Sequence, residues 1–220
     1  MDLTAYQSII NEIKPYGAHL VAVSKTKPAQ DIVSLYNAGQ RVFGENKVQE
    51  LILKQPQLPK DIQWHFIGHL QTNKVKQIAP FINLIHSVDS LKLLTEINKQ
   101  AVANNRNINC LLQVFIADEE TKFGFDKQEL LALLASPGFA QLQNIHICGL
   151  MGMATNTSNK QKIGAEFQGL QNFFLELRHS HFENQPYFKE LSMGMSADYK
   201  IAFKLGATLI RLGTVLFGER

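Results

Sequence analysis

The sequence predicts an α/β fold, an eight-stranded (β/α)8 barrel of the TIM type. Three observations predict it. Short β-rich runs alternate with longer helical patterns, and about eight such β-then-α units follow one another. The chain has 220 residues, close to the roughly 200 that such a barrel needs at the low end. Apolar residues make up 45% of it, enough for a core. An open doubly wound sheet is the alternative for the same rhythm. It uses fewer strands, and no GxGxxG follows the first strand here.

The elements follow in order. A helix over 3–13 precedes the first strand, 20–24. Pro28 opens a helix over 29–38, since its missing N–H costs nothing at a helix start. Ile32, Leu35 and Tyr36 have helical spacing, and Gly39 reads as the stop. Next come a strand at 41–44 with a helix at 46–54, then a strand at 62–67 with a helix at 71–78. The strand 84–88 leads through Asp89 or Ser90, either of which can cap, into a long helix to about 103. A strand at 109–117 precedes a helix at 126–134, stopped near Pro137 and Gly138. A strand at 145–151 precedes a long helix at 161–178. A short strand at 190–193 and a helix at 197–205, stopped by Gly206, lead to the last strand, 209–212. No linker, repeat or charge block interrupts this series, so one domain over 1–220 is expected.

Composition narrows the function classes. The net charge is +3 and the lysines are dispersed, which argues against a nucleic-acid partner. Mean hydropathy is −0.10. No apolar run reaches the roughly 18 residues of a membrane span, and the N-terminus lacks the basic-then-apolar layout of a leader. Cys110 and Cys148 lie in apolar strand runs, as free buried thiols of a reducing compartment do. A cytoplasmic protein with no membrane partner and no metal is expected.

In such a barrel the chemistry lies at the C-terminal ends of the strands. Lys25 ends the first strand with the same parity as Val21 and Val23, so it points inward if they do. A lysine at an apolar mouth loses solvation, which lowers its pKa and frees the amine for a Schiff base with an aldehyde. A lysine that only snorkels to solvent fits the same parity. Lys27 is a rival amine, placed less deep. The loops after the last two strands, SMGMS over 192–196 and Gly213-Thr214, bring small residues, backbone N–H groups and the hydroxyls of Ser196 and Thr214 together. Ends of strands seven and eight commonly hold phosphate, although ordinary glycine turns have the same composition. An amine facing a phosphate cradle suits a phosphorylated aldehyde. His65, inside the third strand, is a pocket candidate or a core histidine with a backbone partner.

Several segments together resemble the pyridoxal phosphate homeostasis proteins. They are AVSKTKP (22–28), FGENKVQE (43–50), WHFIGHLQTNK (64–74), GLM (149–151), LSMGMSADY (191–199), IRLGT (210–214) and FG (217–218). The resemblance runs from about Leu20 to Gly218. It implies the barrel of the alanine racemase N-terminal domain, with pyridoxal 5′-phosphate (PLP) as cofactor in a Schiff base on Lys25. It further implies that Ser196, Gly213 and Thr214 hold the phosphate, with Met195 beside them. Arg211 would face the pyridine nitrogen, and Asn46 and His65 would line the pocket. Arg211 stays protonated and gives the ring no proton, so the ring is a weaker electron sink. Departures from the family pattern are His69, where Pro is equally expected, and the loop after strand five. There Lys122 keeps the family lysine, a second amine for cofactor on its way out.

Racemases of this fold use a second base from a further domain, and few residues follow Leu212 here. A carrier and regulator of PLP, without turnover, is therefore expected. A slow racemase-like PLP enzyme and a cofactor-free class I aldolase are the alternatives. The expected partners are PLP and, as transient clients, apo forms of PLP-dependent enzymes. A monomer is the expected state.

Overall fold

Parallel strands cannot be joined by tight turns, so each strand here is joined to the next by a helical crossover. The strands are β1 (His19–Val23), β2 (Val42–Glu45), β3 (Gln63–Phe66), β4 (Leu84–Val88), β5 (Ile108–Gln113), β6 (Ile145–Met151), β7 (Glu190–Ser192) and β8 (Leu209–Leu212). They pair in chain order, and β8 pairs with β1 to close the barrel. This is a computed structural model, and it describes residues 1–117 and 123–218. Helix α1 (Leu3–Ile13) precedes β1. The crossovers hold α2 (Ala29–Asn37), α3 (Val48–Lys54), α4 (Val75–Ile78), α5 (Leu91–Ala103), α6 (Lys127–Leu134), α7 (Pro137–Ala140), α8 (Lys160–Ser180) and α9 (Tyr199–Ala202). A last turn, α10 (Thr214–Phe217), follows β8.

Strand parity sorts the core. Leu20, Ala22, Phe43, Trp64, Phe66 and Ile85 point outward and pack under the helices in one large cluster. Val21, Leu84, Leu111, Cys148, Met151 and Leu209 form a smaller cluster within the barrel. Cys110 and Cys148 are both buried and free. Ser90 is one of the two caps expected for α5, whereas Asp126, expected inside its helix, is the N-cap of α6. Ser90 accepts the Leu93 N–H, and Asp126 with Glu129 forms a reciprocal capping box.

Four expected boundaries are corrected. The strand expected over 109–117 ends at Gln113: the Val114 N–H still donates to Met151 O of β6, but the Phe115 N–H already donates to Phe125 O. The helix expected from 46 starts at Val48, since Lys47 is extended, and this leaves Asn46 in the loop. Pro137 starts the short α7, capped by Ser136, where a stop is expected. The helix expected over 197–205 splits into α9 and a 3-10 turn (Phe203–Leu205).

Candidate functional site at the barrel mouth

Val23, Lys25, Thr26, Lys27, Gly213, Thr214 and Gly218 line a cavity of about 520 Å3 at the C-terminal mouth. Lys25 is half-buried on the turn that ends β1. Both of its neighbours are anchored. The Ser24 N–H continues the ladder to Gly44 O (3.0 Å). Its hydroxyl donates to Glu45 Oε1 (2.6 Å), and its carbonyl accepts from Lys54 Nζ (2.8 Å). Thr26 is a β-branched residue at φ 65°, a costly backbone state. Glu50 holds it there by accepting the Thr26 N–H. Lys54 ties the two halves together, donating to Glu45 Oε1 (2.8 Å) and Glu50 Oε1 (2.6 Å). Burial pushes the Glu45 carboxyl up, while its bonds with Lys54 and Ser24 pull the other way. Lys27 Nζ donates to the carbonyls of Phe217 (3.0 Å) and Gly218 (3.2 Å), closing the end of α10.

Across the cavity stand the other loops. Thr214 Oγ1 donates to Ser196 Oγ at 3.0 Å, so these two hydroxyls meet. A Cβ at Gly213 would lie 3.2 Å from Val23 O, so only glycine leaves this approach open without displacement. Gly194 turns at φ 94°, and a Cβ there would sit 2.5 Å from that of Ala202. The Met195 N–H donates to Asp198 Oδ1 (2.6 Å), which holds the turn before α9. The Met195 side chain is exposed and lines a neighbouring cavity with Met153 and Phe123, apart from the Lys25 cavity.

Arg211 lies within the barrel on β8, beside Val21, and is buried. Its Nη1 donates to Ser192 Oγ (2.6 Å) and its Nη2 to Gly152 O (3.2 Å). Burial lowers its pKa to about 10, against the raising effect of the Asp198 charge, so it is still a cation at neutral pH. A desolvated guanidinium whose acceptors are neutral retains capacity for an electron-rich partner. Asn46 Oδ1 is likewise buried with no hydrogen-bond partner among the described residues.

His65 is brought elsewhere. It is buried and helps line a cavity of about 370 Å3 at the opposite end, with first residues of strands such as His19, Val42 and Leu209. Its partners are the Asn83 side chain and His86 Nε2 (2.9 Å). His65, expected to line the pocket near Lys25, is not among the residues lining the Lys25 cavity, and the alternative expected, a core histidine with a backbone partner, is met here with side-chain partners instead. Lys122 lies outside the described residues. Sequence reasoning missed Glu45, Lys54 and Glu50. The signal was present: a carboxylate in an apolar strand, and a Glu-Lys pair four apart on the next helix.

The fold and this mouth define a class: a (β/α)8 barrel with a lysine at the end of its first strand and hydroxyls and glycines at the ends of its last two. The family model described as "Alanine racemase, N-terminal domain" matches residues 2–220. The chain belongs to that family and, within it, to the pyridoxal phosphate homeostasis proteins. The relative of that name from Aquifex aeolicus is 41% identical over 204 residues, covering 92% of this chain and 87% of its own. The Synechocystis relative is 38% identical over 219 residues, covering 99% and 98%. Among solved structures, PipY of Synechococcus elongatus with PLP bound superposes with a TM-score of 0.87 at 39% identity, covering 98% of this chain and 99% of its own. The alanine racemase of Bartonella henselae shares the fold at 18% identity and a TM-score of 0.71. The match there covers 98% of this chain but 57% of the racemase.

Proposed function

We propose that this chain binds PLP covalently through Lys25 and acts as its carrier and buffer, regulating the cofactor supply and with it amino-acid and keto-acid balance. One observation carries the reading: Lys25, clamped on both sides, faces Gly213 and Thr214 across one cavity. The name of the Aquifex relative and the PLP-bound state of PipY support it. Arg211 with its neutral acceptors, the orphan Asn46 oxygen and the open approach at Gly213 fit the group.

When bound, the cofactor supplies an aldehyde for an amine and an electron-withdrawing ring. The chain supplies the rest. Lys25 is the nucleophile, and the Lys54 network orients it. Ser196, Thr214 and the backbone at Gly213 receive the phosphate, their hydroxyl pair opening toward it. Arg211 faces the ring nitrogen and keeps its own proton. Asn46 borders the ring, and Met195 stands at the rim. Racemisation by two bases needs a second base on the face opposite the first, and we assign none. The chain acts in our reading as one barrel domain, monomeric and cytoplasmic, handing cofactor to apo-enzymes.

The purified chain should turn yellow with PLP. Borohydride should bleach it and leave a pyridoxyl group on Lys25. A protein that stays colourless, or a Lys25→Ala variant that keeps the adduct, overturns the assignment. PLP should reach an apo-enzyme faster than it escapes into buffer, and L-alanine should survive long incubation unchanged. Equal rates would remove the carrier role, and racemised alanine would make the chain an enzyme.

A further inference from the structure

The interior of the barrel holds a line of polar groups that the cofactor site does not explain. It starts at Arg211 Nη1, which donates to Ser192 Oγ (2.6 Å). Ser192 Oγ lies 2.9 Å from His86 Nδ1, and His86 Nε2 lies 2.9 Å from His65 Nδ1. His65 ends the line on the Asn83 side chain, at the cavity on the strands' N-terminal side. Ser192 and His86 are fully buried, and His65 nearly so.

A guanidinium only donates. Ser192 Oγ must therefore accept from Arg211, and its single proton needs another acceptor. Among the described residues His86 Nδ1 is the one in reach; otherwise a buried O–H is orphaned, at real cost. Nδ1 of His86 then carries no proton, so its N–H is Nε2–H, which donates to His65 Nδ1. His65 in turn carries its proton on Nε2, toward Asn83. The donor-only character of one arginine thus orients every bond in the line. A proton on either acceptor Nδ1 would make two donors face each other.

We propose that His86 is a positioning residue. Through Ser192 it keeps an oxygen lone pair on Arg211, with both imidazoles neutral and protonated on Nε2, and so aims the guanidinium at the ring nitrogen of PLP. The line is a one-way hydrogen-bond relay from the cofactor to the far end of the barrel. The part that concerns PLP rests on the binding reading above. The tautomers do not, because they exist without cofactor.

The test has two arms. Long-range 15N–1H spectra of the cofactor-free chain at neutral pH should show unprotonated Nδ1 and protonated Nε2 on both His65 and His86. A charged ring, or a proton on either Nδ1, overturns the relay even if PLP binds normally. In the second arm PLP affinity is compared in His86→Leu and His86→Gln. Glutamine can accept from Ser192 and donate to His65; leucine can do neither. His86→Leu should weaken PLP about 10-fold, the scale of one lost charge-assisted bond, and His86→Gln should recover most of it. Equal losses in both variants, or none in either, overturn the positioning role. Loss of all PLP binding in the wild-type chain, with the tautomers as stated, would instead fail the binding reading and leave the relay standing.

Discussion

Two buried cations sit on either side of the barrel wall, and they are treated differently. Lys54 lies outside the wall, at the C-terminal end of α3, between two carboxylates that take its charge at 2.8 and 2.6 Å. Arg211 lies inside, bonded to a hydroxyl and a carbonyl, with Asp198 acting on it only through its field. A buried cation with ionic partners is complete, so its work is structural. One left with neutral acceptors is unfinished, and an electron-rich ligand completes it. In the proposed function Arg211 is the cation that a ligand completes, and removing each cation in turn can break that contrast.

The largest effect should come from Lys54→Met. It strands the Glu45 carboxylate, which is fully buried, and breaking a buried pair from one side costs about 3–5 kcal/mol. Urea unfolding of the cofactor-free chain measures it. A loss below about 1 kcal/mol, the scale of an exposed pair, would mean that the network is not holding the Lys25 turn.

Acid comes next. Burial lowers the pKa of His65 to about 4 and that of His86 well below the ordinary value, His86 also feeling His65 and Arg211. Between pH 6.5 and 4 the unfolded chain therefore binds more protons than the folded one. Stability is complete above pH 6.5 and falls as pH drops through that window, by up to ~1.4 kcal/mol per pH unit for each group. Urea midpoints at pH 7, 6 and 5 should decline, and His65→Gln should decline less steeply. A flat profile over that range would mean that the pair is already charged when folded.

How much of this could be read beforehand follows from parity. Alternation along β1 puts Lys25 with Val21 and Val23, and all three do face the interior or its mouth. Parity also puts His65 inside, but it says nothing about depth, so a residue expected near the lysine lies toward the other end. His86, between Leu84 and Val88 in an apolar run, had the same inward parity and drew no notice. The strands β4, β6 and β8 have their expected limits because turn residues bracket them. The overrun of β5 arose because 114–117 stay apolar after the ladder has turned to Phe125, and composition does not record a change of partner. The Glu45–Lys54 pair was hidden for a physical reason: it joins a strand to the helix beyond it, and neither periodicity alone marks the contact.

Arg211→Gln separates the two cations most sharply, although its effect on stability is small. No carboxylate loses a hydrogen-bonded partner, Asp198 losing only a favourable field, and a desolvated charge is removed, so the cofactor-free chain should be unchanged or more stable by about 1 kcal/mol. PLP affinity should nonetheless fall about 10- to 100-fold, one charge-assisted contact at the ring. Unfolding and PLP titration on the same preparation test both halves. A large loss of stability with intact affinity would reverse the comparison, making Arg211 the structural cation. Lys27→Met is the smallest case. Its amine holds two carbonyls at the end of α10, so its loss should cost about 1 kcal/mol and leave borohydride labelling on Lys25. Labelling that disappears with Lys27 while Lys25 is present would transfer the nucleophile's role to the second amine of the same turn.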